Sequence, residues 1–141
     1  MRDPVLTAEE VLAFTDEVFP QMAGRFVIDA LGPGVLVGTM SVTEADLRPG
    51  ETVSGPTMFT AADCAFYLLT LAMIGRQALT VTTNCTINFM RKPPIGPLRV
   101  EARVLKLGRT LCVGDVLVFG AGMEAAAAQA SLTYAIPPRA G

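Results

Sequence analysis

Residues 54–75, SGPTMFTAADCAFYLLTLAMIG, make an almost wholly apolar stretch with one charge in it, Asp63. A helix that is hydrophobic on every side belongs inside a core or a membrane, so the rest of such a chain has to be arranged around it. A carboxylate on that helix is costly unless something pairs with it or uses it. The sequence also contains no histidine, which removes most familiar hydrolytic machinery. Asp63 is therefore the residue from which a functional reading starts.

At 141 residues the chain reads as one domain over 1–141, long enough to bury a real core. The apolar fraction is 51% against 17% charged, more grease than one subunit hides easily, which points to self-association as a homodimer or homotetramer. The net charge of −2 and the absence of a basic block argue against a nucleic-acid partner. Cys64, Cys85 and Cys112 share no metal-ligand spacing, so no metal and no cofactor are expected. Three cysteines suit reduced thiols in a cytoplasmic protein. The opening MRDPVLTAEE has acids where a signal peptide has an apolar run. The uncharged run Cys64–Ile74 falls short of the ~20 residues a membrane span needs, so no membrane partner is expected.

Thr7 followed by Glu10 makes a capping box for an amphipathic helix over about 8–22, with Val11, Leu12, Phe14, Val18 and Met22 as its inner stripe. Two strands follow, Phe26–Leu31 and Val35–Ser41, around the turn Gly32-Pro33-Gly34. A polar loop bends at Arg48-Pro49-Gly50. The central helix covers about 56–74, with Pro56 in its first turn and Gly75 at its end. Four strands are then expected in antiparallel succession: Leu79–Met90, Leu98–Leu107, Leu111–Phe119 and Glu124–Ile136. The last is read as a strand against the helical propensity of its four consecutive alanines. One helix that is apolar all round needs a sheet to wrap it, giving an α+β layer arrangement.

A curved antiparallel β-sheet wrapped around one long central helix resembles the hotdog fold. The stretch PGETVSGPTMFTAADCAF resembles the signature of the PaaI-like acyl-CoA thioesterases within it, and INFMRKP and LKLGRTL resemble later segments of that family. The likeness covers roughly residues 25–136. In that family a His-Gly-Gly triplet precedes the helix, and the catalytic acid lies nine residues after the histidine. Here Ser54-Gly55-Pro56 occupies the triplet, and Asp63 falls nine residues after Ser54. Ser54 replaces the histidine and Pro56 the second glycine. Arg48 stands near the family's asparagine, which commonly helps to position water or substrate. The resemblance implies hydrolysis of an acyl-CoA thioester.

Asp63 can serve such chemistry as general base on a water or as a direct nucleophile. The N–H of Gly55, at the helix N-terminus, is placed to stabilise an oxyanion. Eight residues separate the two, about 12 Å along the axis, so one carbonyl cannot meet both on one helix. Acting together, they come from two subunits whose helices lie antiparallel, as the resemblance also implies. Thr82 matches the position where related enzymes carry a water-orienting hydroxyl. Strand alternation admits only Thr82 or its neighbour Thr83 to the site. Ser54 and Arg48 are further candidates for substrate contact, and Arg91, Lys92 and Arg109 for the phosphates of coenzyme A. Cys64, in an apolar setting with no histidine to deprotonate it, is a poor nucleophile.

Each assignment has a structural rival. Asp63 could pair inside an oligomer, Gly55 and Pro56 could merely start a helix, Thr82 could be a β-former, and the basic residues a solvated rim. The functional alternative is a non-catalytic acyl-CoA-binding module of the same fold.

Overall fold

The computed structural model describes residues 1–138. Helix α1 spans Ala8–Val18, and α2 spans Gly55–Ile74. The strands are β1 (Phe26–Gly32), β2 (Val35–Met40), β3 (Leu47–Arg48), β4 (Thr52–Val53), β5 (Val81–Phe89), β6 (Leu98–Leu107), β7 (Leu111–Phe119) and β8 (Ala128–Ala135). Six of them form one sheet in the order β1-β2-β6-β7-β8-β5, every neighbouring pair antiparallel. The short strands β3 and β4 pair separately. This sheet around α2 is the hotdog fold.

The sheet wraps α2 because alternate residues of its central strands are apolar. Leu98, Val100, Ala102 and Val104 of β6, Cys112, Val116 and Val118 of β7, and Ala130, Leu132 and Tyr134 of β8 are all buried, as are Phe66, Leu69, Leu71 and Met73 of the helix. Gly114 is required where the two layers touch. A Cβ there would collide with the Phe66 ring and the Arg103 carbonyl, so the bare backbone lets β7 lie against the helix. Gly75, at φ +102°, ends α2 in a conformation that side chains disfavour. By length and composition α2 alone would suffice to cross a membrane, because the whole helix rather than its uncharged run sets the length; 78% of that span is buried inside the fold.

Three expectations need correction. The first helix ends at Val18 rather than continuing to residue 22. Pro20 lacks the N–H a further turn needs and crowds the preceding carbonyls, so residues Pro20–Met22 form a separate 3₁₀ turn. Val18 is correspondingly half-exposed, while Thr15 is buried with Val11. The strand expected from Glu124 begins at Ala128. The carbonyls of Ala126 and Ala127 are instead taken by the Arg91 guanidinium and by the backbone N–H groups of Met90 and Arg91. Finally, β5 does not precede β6 in the sheet but lies at its far edge, beside β8. The proline-rich link between them cannot form a hairpin; its Pro93 carbonyl accepts the Val53 N–H at 3.0 Å.

Candidate active site

Asp63 lies on the third turn of α2, half-buried, in a helix whose neighbouring residues are buried on nearly every side. Two hydroxyls hold its carboxylate. Thr82 Oγ1 donates to Oδ1 at 2.6 Å, and the Tyr134 hydroxyl lies 2.7 Å from Oδ1 and 2.8 Å from the Asp63 carbonyl. Hydrogen bonds to a charged acceptor are stronger than neutral ones, so these contacts fix the carboxylate's rotamer. Both act on Oδ1, and no described residue hydrogen-bonds Oδ2.

Sheet register makes this clasp. Thr82 and Tyr134 are direct partners across β5 and β8, and the register shifts between Thr82 and Asn84. That bulge inserts one extra residue. Thr83 is consequently exposed, and its hydroxyl donates to the Thr133 carbonyl at 3.2 Å. Of the two threonines, Thr82 is the one at the carboxylate. Tyr134 is the residue that sequence reasoning missed. A tyrosine on the inward face of a strand normally finds a partner for its hydroxyl, and that was the available signal. Burial, followed by the nearby Asp63 charge, pushes the Tyr134 phenol well above its ordinary range, so it stays a proton donor.

An open groove of about 270 Å³ runs past Asp63, walled among others by Phe19, Tyr67, Val81, Thr82 and Tyr134. Cys64 also reaches it, but burial and then the Asp63 charge push its thiol up to about 12. It is therefore no nucleophile near neutral pH. Among the described residues, no three cysteine, aspartate or glutamate side chains cluster to hold a metal ion.

Gly55 is the first residue of α2, behind the N-cap Ser54. The Ser54 Oγ accepts the Thr57 N–H at 3.3 Å and donates to Thr57 Oγ1 at 3.0 Å. Thr57 in turn donates to Asp46 Oδ1 at 3.0 Å, and Asp46 Oδ2 accepts from Arg25 and from the Thr43 N–H. Ser54 thus caps the helix as part of a chain of contacts that holds the preceding loop. The Gly55 N–H lies outside that chain. The Phe89 ring passes 3.5 Å from where a Gly55 Cβ would stand.

The basic residues do not converge. Arg48 is exposed on β3, opposite Thr52. Arg91 and Lys92 are exposed just past the end of β5, beside Phe89 and hence near Gly55. Arg109 sits in the β6–β7 turn, in a separate groove with Ile74 at the other end of α2. The helix between them is ~28 Å long, so Arg109 cannot share a phosphate with Arg91 and Lys92 of its own subunit.

A family model described as the thioesterase superfamily matches residues 50–127, the stretch that carries Gly55, Asp63 and Thr82. The chain belongs to the thioesterase superfamily. This superfamily member is 53% identical to a "putative thioesterase" of Silicibacter sp. TM1040 whose structure has been solved, with a TM-score of 0.87 over 96% of this chain and 94% of that one. It is 27% identical to a "putative esterase" of Saccharolobus solfataricus over 82% of this chain and 81% of the other. The E. coli PaaI protein of the phenylacetic acid degradation operon shares the fold at a TM-score of 0.75 and 22% identity, over 93% and 91% of the two chains. Membership of this superfamily supports thioester hydrolysis as the activity.

Proposed function

We propose that this protein hydrolyses acyl-CoA thioesters, with Asp63 as the acid that drives the reaction. The observation that carries this reading is the clasp of Thr82 and Tyr134 on Asp63 Oδ1, which orients the carboxylate beside an open groove. In the base route, Oδ2 takes a proton from water and the resulting hydroxide attacks the thioester carbonyl carbon. The C–S bond then breaks, and the coenzyme A thiolate leaves and takes up a proton. In the nucleophile route, Oδ2 attacks the same carbon, the C–S bond breaks and the coenzyme A thiolate leaves with a proton from water, and a second water then hydrolyses the mixed anhydride to free acid and Asp63 carboxylate.

The developing oxyanion needs a donor, and the N–H of Gly55 at the positive end of α2 supplies one. The ~12 Å between Gly55 and Asp63 on one helix favours taking that donor from the partner subunit. Proteins of this fold commonly form oligomers, and a dimer with antiparallel α2 helices meets this requirement. Arg91 and Lys92, near Gly55, are the better placed basic groups for the phosphates of coenzyme A, with Arg48 on the neighbouring loop; Arg109 would serve a site only from another subunit.

The test is release of free coenzyme A from a panel of acyl-CoAs, followed with a thiol-reactive dye. Turnover of at least one thioester is expected. Binding of acyl-CoA without any turnover would replace this reading with a binding module.

A further inference from the structure

The groove that carries Asp63 shares three lining residues, Phe19, Cys64 and Tyr67, with a second cavity, a pit beneath α1 and the 3₁₀ turn that follows it. The pit has about 20 Å³ of room, space for roughly one water-sized group. Its walls include Leu12, Met22, Phe26 and Leu68. Little in it can solvate a polar ligand. The Thr15 hydroxyl is engaged by the Val11 carbonyl at 2.8 Å, and the Cys64 thiol donates to Met22 Sδ at 3.5 Å. Asp16, exposed at the rim, adds a negative charge.

We propose that this pit receives the distal end of a linear, uncharged acyl chain, and that Met22 is the floor that sets how long a chain is accepted. The inference rests on the reading of Asp63 as the hydrolytic centre, because it fixes where the thioester carbonyl sits. From Asp63 to Leu68 is five residues of α2, about 7.5 Å along the axis. A short to medium chain spans that distance and ends among Leu12, Met22 and Phe26. An aromatic ring needs far more than the space of one water, and a terminal carboxylate would lose its hydration with no partner and face Asp16. Methionine suits a floor of this kind, since its unbranched thioether fills irregular gaps. The turn that carries Met22 exists because Pro20 stops α1, so the sequence feature that ends the helix also closes the pit.

The experiment compares kcat/KM of wild type, Met22→Ala and Met22→Phe on acetyl-, butyryl-, hexanoyl-, decanoyl-, palmitoyl- and phenylacetyl-CoA. Binding of the matching non-hydrolysable thioether analogues is measured in parallel. Wild type is expected to peak at a linear chain of intermediate length and to fall by about tenfold or more per step beyond it, as methylenes without a pocket lose their binding energy. Met22→Ala moves the optimum to longer chains and Met22→Phe to shorter ones. If no variant hydrolyses anything but the analogues show these length shifts, the hydrolytic reading fails and the pit stands. Length preferences unchanged in both variants, or a wild type that prefers phenylacetyl-CoA, overturn the pit.

Discussion

Thr82 and Tyr134 face each other as register partners across β5 and β8, and their hydroxyls meet on one oxygen, Oδ1 of Asp63. Each restrains the carboxylate through Oδ1, while no described residue hydrogen-bonds Oδ2, the oxygen proposed to act on water or thioester. Thr82→Val and Tyr134→Phe are therefore expected to lower kcat by about tenfold each, the scale of one hydrogen bond to a charged group. Because both act on the same atom, the double variant should lose less than the product of the two. Steady-state kinetics of the four proteins measures this. Additive losses would mean that the two hydroxyls act separately.

Gly55 offers a substitution that removes one backbone hydrogen-bond donor at the start of α2. Proline is tolerated at the first helical position, and Ser54 already has φ −72° and ψ 157°, the extended conformation that a following proline demands. Gly55→Pro is thus expected to lose about 10²-fold in kcat, as loss of an oxyanion donor does, and to lower Tm somewhat, because residue 55 is helical and itself precedes Pro56. Cross-subunit sites add a sharper expectation. When Asp63→Asn and Gly55→Pro subunits are mixed and allowed to exchange, each mixed dimer regains one intact site, and activity reappears. Mixing without recovery, in dimers proven to exchange, would place both groups in one subunit.

Asp46 links pH to the order of the loop before α2. Burial alone would push its carboxyl up, but the Thr43 N–H, the Thr57 hydroxyl and Arg25 outweigh that and hold it below the ordinary 3.8. A carboxyl with a lowered folded-state value stabilises the fold above its ordinary value and loses that contribution as pH falls through the folded-state one. Wild type should consequently show a falling Tm below about pH 4. Asp46→Asn should be less stable near neutrality by about 1 kcal/mol and show a shallower acid limb. Thermal melts across pH measure both; parallel curves would remove Asp46 from the account.

The Cys64 thiol, pushed up to about 12 by burial and by Asp63, is almost wholly protonated near pH 8. Its thiolate fraction grows about tenfold per pH unit until that value is reached. Iodoacetamide should leave Cys64 largely unmodified near pH 8, with the rate climbing as the solution is made more alkaline, and hydrolysis should persist after such treatment. Mass spectrometry of the treated protein reads the first, and coenzyme A release the second. Rapid modification of Cys64 near neutrality with loss of activity would make the thiol a participant.

The parts of the molecule legible in the sequence are those governed by local rules. The capping box of Thr7 and Glu10 forms as its spacing predicts, β6 and β7 occupy the residues expected of them, and the apolar run around Asp63 is the central helix. Pro20 is a local signal too, opposed in the sequence by the apolar stripe that continues to Met22, and in the structure the proline prevails. What lay beyond local reading were pairings between distant segments. Nothing in Leu79–Met90 says that β5 crosses to the far edge and pairs with β8, and without that pairing Tyr134 has no reason to meet Asp63. The choice of Thr82 over Thr83 likewise depends on a bulge that exists only once β5 and β8 are in register. The separation of Arg109 from Arg91 and Lys92 follows from the same topology.

The most direct test of the account compares coenzyme A release by wild type and Asp63→Asn on the best acyl-CoA of the panel. Asparagine keeps the size of the side chain and an oxygen for Thr82 and Tyr134, but gives up the carboxylate that acts on water or carbonyl. A loss of about 10²–10⁴-fold in kcat with an unchanged melting profile is expected. Turnover by Asp63→Asn at the wild-type rate would contradict it.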